Sequence, residues 1–317
     1  MCVDLVCVHV FLVVVDALQW GTKKKFMEDP SAWWTDFWLR AHDTDEWERA
    51  EPNAGHIAIA RIMQFAPPSP SLLLLPFSFT RWFPNRQFPN VRLATQNIDR
   101  LHLRAGCDPR RVAEVHGALG VYRCTKLFAF EFPFFSSHLS FLHESPEMCD
   151  LKQTNANKQN SSCKFSRTEQ LEGVVLHRDE AGRVVPPRCP ACGSLVMPMT
   201  LLFDEMYSSH VFFKNDVVSD WLDRAEVFVF AGTSLSVGIT TAALHTVAAW
   251  NAEAFAMNVA PQHRRIPCSS GTPATLHDIV GPCEATLPLL AALCTTPSSP
   301  SLCSPSRSSF PLSCEIQ

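Results

Sequence analysis

Short apolar runs of strand length alternate with stretches of helical character along the chain, and their order carries the first structural information. Val91 to Thr95 is an apolar, partly β-branched run that ends in polar residues, the pattern of a buried strand with its functional end at the carboxyl tip. Asp108-Pro109 predicts a helix start, with Asp as N-cap and Pro in the first turn, running through Arg110 to about Val115. Ala225 to Ala231 reads as a second buried strand, halted by Gly232-Thr233-Ser234, and Ile239 to Trp250 follows as a helix. Ala254 to Met257 is a third short strand ending at Asn258. Strands alternating with helices predict an α/β fold, a doubly wound parallel sheet of Rossmann-like type with helices on both faces. Such a sheet binds ligands at the carboxyl ends of its strands, where Gln96-Asn97, Gly232-Thr233-Ser234 and Asn258 fall.

Three stretches break this pattern. Residues 67 to 79 contain only Pro, Ser, Leu and Phe, residues 127 to 142 are dominated by Phe, Ser and Leu, and Thr295 to Cys314 is similar. The chain has 22 Phe against 2 Tyr, and eleven of the Phe lie between Phe65 and Phe88 or between Phe128 and Phe141. These residue types share pyrimidine-rich codons, so we read the two internal segments as translated non-coding sequence; the alternative is a pair of low-complexity surface insertions. Transcript reads crossing both segments without a splice junction would refute the first reading. Met1 to Trp20 is apolar but holds Asp4, His9 and Asp16 and lacks a basic leader, which fits a buried strand, or an unreliable N-terminal segment over 1–25, rather than a membrane span.

Composition narrows the function classes. Of 317 residues 18% are charged, against roughly 25% in an average soluble domain, and the formal net charge is −4. That balance offers no electrostatic surface for nucleic acid or an anionic membrane. Thirteen cysteines, an odd number in a long chain, argue against a closed disulfide framework and for metal ligation plus scattered thiols. Cys189 and Cys192 form a C-x-x-C knuckle, whose two thiolates suit one edge of a tetrahedral zinc site; a redox pair or plain buried thiols are the alternatives.

The block from Thr95-Gln96-Asn97-Ile98-Asp99 to His102, followed by Ala105-Gly106 and Val112-Ala113-Glu114-Val115-His116-Gly117, resembles the sirtuins, NAD-dependent protein deacylases. The likeness continues through Cys189-Pro190-Ala191-Cys192-Gly193, Met197-Pro198, Phe203-Asp204-Glu205, Gly232-Thr233-Ser234, Asn258 and Leu287-Pro288. It covers about 26 to 65, 91 to 126 and 149 to 290, within a catalytic domain at 26–290 that carries insertions at 66–90 and 127–148 and a zinc module near 117–200. Residues 1–25 and the tail 295–317 stand outside it.

The resemblance implies roles that the residue types can perform. Gln96 and Asn97 donate and accept hydrogen bonds, as a nicotinamide carboxamide and ribose hydroxyls require, with Asp99 as a further acceptor. Gly232, Thr233 and Ser234, with Asn258, would hold ribose or phosphate oxygens of NAD. His116 would take a proton from a ribose hydroxyl after the acyl-lysine oxygen has displaced nicotinamide, because imidazole titrates near neutral pH. Cys124 lies where the family places its first zinc ligand. Excising the Phe-rich segment brings Cys149 close behind it, so the implied set is Cys124, Cys149, Cys189 and Cys192, with Cys163 as runner-up. Four thiolates leave no open position, so the zinc would be structural. Phe203, Asp204 and Glu205, a variant of the commoner Phe-Gly-Glu and followed by Tyr207, would border the channel for an acylated-lysine protein or peptide.

Two elements of the family are missing, the phosphate-binding turn and a Phe-Arg-Gly segment whose arginine helps hold NAD. The phosphate-binding Gly-Ala-Gly-x-Ser turn has no counterpart, for no two glycines in the chain are separated by a single residue, and Val13-Val14-Val15 leads into Asp16-Ala17-Leu18-Gln19. Charge-assisted N–H contacts contribute about 1.5–3 kcal/mol each, so the chain as written is expected to bind NAD weakly or not at all. A catalytically inactive scaffold and a mono-ADP-ribosyltransferase are the competing functional readings. No basic tail or Arg-rich transit helix gives an address beyond a cytoplasmic or nuclear default.

Overall fold

A computed structural model describes residues 18–42, 44–64, 91–126, 163–262, 265–266 and 274–295. The N-terminal run with Val13 to Val15, both Phe-rich segments, Cys149 and the tail beyond 295 lie outside the described residues.

The described chain opens with helix α1 (Lys23–Glu28), a π-helical stretch over Trp33–Trp38, and helix α2 (Ala54–Gln64). A parallel pair follows, β1 (Leu93–Thr95) and β2 (Val112–Glu114), with the single turn α3 (Leu101–Arg104) between them. An antiparallel module comes next: β3 (Gly117–Cys124), β4 (Leu171–Glu172), the small ribbon β5 (His177–Arg178) and β6 (Val184–Val185), and β7 (Val196–Thr200), with β3 between β4 and β7. Helix α4 (Asn215–Arg224), strand β8 (Val227–Ala231), helix α5 (Gly238–Trp250) and strand β9 (Glu253–Asn258) then return the chain to parallel sheet. The short β10 (Arg265–Ile266), β11 (Ala274–Val280) and helix α6 (Cys283–Thr295) complete it. No helix among the described residues is long and apolar enough to cross a membrane.

The helix expected after Asp108-Pro109 is corrected. Asp108 does cap, its carboxylate accepting the Arg110 N–H at 3.0 Å, but only a 3-10 turn, Pro109–Arg111, forms. Val112 and Ala113 are then drawn into β2, in register with Leu93 and Ala94 of β1, where both are buried. Burial of Val112 and Ala113 in a parallel sheet outweighs a local N-cap signal worth about 1 kcal/mol.

Helices cover both faces of the β8–β9–β11 sheet. α5 packs Ala243, Leu244 and Val247 on Phe228, Phe230, Ala254, Ala256 and Leu276, while α2 and α6 pack Ala58, Leu287 and Ala291 on Met257. The parallel strands form two pieces, β2–β1 and β8–β9–β11. Their tips meet, since Gln96 Nε2 lies 3.5 Å from Thr233 Oγ1. In a doubly wound order of 3-2-1-4-5-6 the pieces correspond to 3-2 and 4-5-6. Among the described residues nothing occupies position 1.

Phe26, Trp33, Trp34 and Trp38 form a separate aromatic core with Val184, Met197 and Leu202 of the antiparallel module. Trp33 meets Phe26 edge-on at 5.2 Å and stacks on Trp38 at 5.6 Å, geometries that aromatic quadrupoles favour. Helix α1 and the π-helical stretch therefore anchor to the module that carries the cysteines.

Candidate active site and zinc centre

The candidate catalytic histidine sits at a junction between the parallel strands and the antiparallel module. Val115 extends the β2 pairing by donating its N–H to the Thr95 carbonyl at 3.1 Å, and the His116 carbonyl accepts the Leu201 N–H at 2.9 Å. Gly117 makes the turn possible: its φ is +98°, and a Cβ there would stand 1.8 Å from the Met199 carbonyl oxygen. His116 Nε2 lies 3.0 Å from the Tyr207 hydroxyl. Burial pushes the imidazole pKa down, only partly opposed by a hydrogen bond to the Gln96 backbone, so the ring is neutral and able to accept a proton at neutral pH.

The strand tips bring several of the polar candidates together. The Asn258 side chain donates to the Thr233 carbonyl at 2.9 Å, and Gly232 donates its N–H to Met257 at 3.0 Å, with φ +61° at the turn. Gln96 faces the Thr233 hydroxyl, which also accepts the Leu235 N–H at 3.3 Å. The Ser234 hydroxyl lies 2.6 Å from that of Ser236. Asn97 is exposed, its N–H held by Thr95 Oγ1 at 3.1 Å. Asp99 is engaged locally, accepting the Leu101 N–H at 2.9 Å at the start of α3.

The Phe203-Asp204-Glu205 loop is fastened at its backbone and at both acids. The Phe203 N–H donates to the Gly21 carbonyl at 2.9 Å while its ring stays 65% exposed. Asp204 accepts the N–H groups of Lys23 and Lys24 at 2.7 and 3.0 Å, capping α1 from across the chain. Glu205 pairs with Arg123 of β3 and lies 3.6 Å from the Lys23 ammonium. Lys23 has its pKa lowered by burial, with Glu205 opposing.

The sulfurs of Cys124, Cys163, Cys189 and Cys192 all lie within 4.8 Å of one another. Cys124 and Cys192 are 3.4 Å apart, Cys163 and Cys189 3.5 Å. A zinc with Zn–S bonds of about 2.3 Å has sulfurs about 3.8 Å apart at the corners of a tetrahedron, so the four residues fit that ion. The knuckle is preset by backbone: Gly193 N–H reaches the Cys189 carbonyl at 2.8 Å, and Cys189 N–H reaches Ser194 at 2.8 Å. Burial raises the Cys124 and Cys163 thiols; at Cys192 it acts the same way but is outweighed by hydrogen bonds from Ser194, leaving it at about 6. Among the described residues the fourth sulfur of the cluster is that of Cys163, at the start of a 3-10 turn and the runner-up in the sequence; the expected Cys149 lies outside the described residues.

The sequence model of the Sir2 family matches residues 82–238, a span that holds His116, the cysteine knuckle and the Phe203 loop. NAD-dependent deacetylase sir2E of Dictyostelium discoideum is 33% identical over 273 residues, which is 86% of this chain. The chain belongs to the Sir2 family. It spans 63% of the Dictyostelium protein and 52% of NAD-dependent protein deacylase 1 of Caldanaerobacter subterraneus, to which it is 30% identical over 176 residues. Among solved structures a Sir2 homologue in complex with NAD superposes with a TM-score of 0.52 at 21% identity, covering 87% of this chain and 77% of that one, which establishes the Sir2 fold.

Within this Sir2 chain, sequence reasoning missed Arg123, Lys23 and the part played by Tyr207. No motif marked the first two. A lone arginine in an alternating strand reads as surface, and only pairing with a loop more than eighty residues away buries it.

Proposed function

We propose that this chain carries the catalytic core of an NAD-dependent protein-lysine deacylase, with an acylated-lysine protein or peptide as substrate. The observation that carries the reading is the placement of a half-buried, neutral His116 between the strand tips bearing Gln96, Thr233 and Asn258 and the loop bearing Phe203. NAD supplies an activated ribosyl carbon with nicotinamide as its leaving group. His116 accepts a proton at Nε2 from a ribose hydroxyl, which turns that hydroxyl into a nucleophile. Gln96 and Asn258 orient the nicotinamide and ribose end, with Gly232, Thr233 and Ser234 beside them; Asn97 and Asp99 complete the set. Phe203 walls the acyl-lysine side, while Asp204 and Glu205 fix the loop. Cys124, Cys163, Cys189 and Cys192 hold zinc in a closed site that shapes the module without entering the chemistry.

The residues on hand suit the nicotinamide ribose end of NAD and not its pyrophosphate, for which the sequence has no Gly-x-Gly turn. A second reading, an inactive scaffold that keeps the zinc module and groove, draws support from that gap. The test is a pair of proteins: the chain as it stands, and one with a Gly-Ala-Gly-x-Ser turn introduced ahead of Gly21. Nicotinamide release from an acylated peptide by the second, abolished by His116→Ala, is expected. Its absence in a protein that binds NAD at micromolar concentration would favour the scaffold.

A further inference from the structure

Tyr207, on a single 3-10 turn after the Phe203 loop, touches the candidate base directly. Its ring stacks on the His116 imidazole with centroids 5.8 Å apart and planes 28° apart, and its hydroxyl lies 3.0 Å from Nε2. The same oxygen is hydrogen-bonded to the backbone of Ile239, in the first turn of α5. The ring lies over Gly238, where a Cβ would already stand 3.3 Å from Tyr207 Cε2. On its other side the imidazole is hydrogen-bonded to the Gln96 backbone. A neutral imidazole has one N–H and one lone pair. Nε2 faces the tyrosine, so the bond to the Gln96 backbone falls to Nδ1; with the N–H there the lone pair lies at Nε2, and the tyrosine hydroxyl is free to donate to it while accepting from Ile239.

We infer that Tyr207 is the positioning residue of His116: it locks the imidazole into the tautomer with its lone pair at Nε2 and aims that lone pair at the strand tips. A relay from Ile239 N–H through Tyr207 O–H to Nε2, closed by Nδ1–H on Gln96, spans α5, the loop and β1. It gives the Tyr after Phe-Asp-Glu a task distinct from lining a channel. The tyrosine also holds the place that an incoming hydroxyl must take, so ligand entry exchanges one O–H donor for another and leaves the ring where it was. The inference rests on the deacylase reading for what His116 does, but not for how its ring is held.

The experiment is nitrogen NMR of the imidazoles in the full zinc-loaded chain, without NAD or peptide, for the unsubstituted protein and Tyr207→Phe. In the unsubstituted protein the neutral His116 is expected to be protonated at Nδ1. In Tyr207→Phe the Nδ1-protonated population is expected to fall, and the His116 pKa to rise by about half to one pH unit, as one hydrogen bond favouring the neutral ring is lost. A purely structural Tyr207 would alter thermal stability and leave tautomer and pKa where they were. That result, or protonation at Nε2 in the unsubstituted protein, overturns the inference. Failure of the deacylase reading would leave these spectra unchanged.

Discussion

Glu205→Ala is expected to be among the most costly single substitutions in the loop. The Arg123 and Glu205 side chains are 3% and 5% exposed, and Arg123 has a further bond to the Thr200 carbonyl at 2.9 Å, while its Nε has no partner of its own. Glu205 also accepts the Leu202 N–H at 3.3 Å, which ties the ion pair to the loop backbone. Removing the carboxylate leaves a guanidinium buried under the Phe213 ring, 5.7 Å from its centroid, with no counter-charge. Breaking a buried pair from one side costs about 3–5 kcal/mol, which for a domain of this size lowers the melting temperature by about 6–20 °C. Urea unfolding followed by tryptophan fluorescence reads it, since Trp33, Trp34 and Trp38 share a core with Leu202. Glu205→Gln, which keeps an acceptor, is expected to lose less. Arg123→Met combined with Glu205→Leu is expected to return most of the stability, because two apolar groups carry no desolvation cost. A Glu205→Ala loss below about 1 kcal/mol, the range of exposed pairs, would refute the burial argument.

Zinc content separates the two candidates for the fourth ligand: Cys163→Ser is expected to lower bound zinc and stability sharply, and Cys149→Ser to leave both unchanged, as read by metal analysis and thermal unfolding. Gly117→Ala is expected to cost about 3 kcal/mol or more because the added Cβ meets backbone. Gly120→Ala, with φ +75° and open space around it, is expected to cost only the conformational strain of about 1–2 kcal/mol; equal losses in urea titrations would contradict the steric account. The pKa of His210 is lowered to about 4 by burial and by Arg123, and that of His102 to about 4 by burial and by His56. Both are depressed below the unfolded value of about 6.5, so the unfolded chain binds more protons between those limits. Stability is therefore expected to be flat with respect to these two rings above pH 6.5 and to fall as pH drops toward 4, by up to about 1.4 kcal/mol per pH unit for each. Urea midpoints at pH 7, 6 and 5, with His210→Gln flattening the slope, check the sign. Calorimetric titration with NAD is expected to show no micromolar binding by the chain as written, and micromolar affinity there would overturn the argument from the missing phosphate turn.

Local sequence determined the strands at 93–95, 227–231 and 253–258 and the helix at 238–250, because their apolar periods coincide with what they bury. It also marked the Cys189/Cys192 knuckle, whose two thiols are near in the chain, while the resemblance to the sirtuins marked His116 and Cys124. What depended on pairing across the chain was decided by tertiary structure. Val112 and Ala113 left a capped helix for a strand because β1 lay alongside. Cys163 joined the sulfur cluster because ligation is a matter of distance in space and not of sequence separation. Asp204 and Glu205 found Lys23, Lys24 and Arg123 on elements that no local period connects. The neutral state of His116 likewise belongs to its surroundings, for an imidazole's free pKa is a property of the residue, whereas burial and the contacts with Gln96 and Tyr207 are properties of the fold.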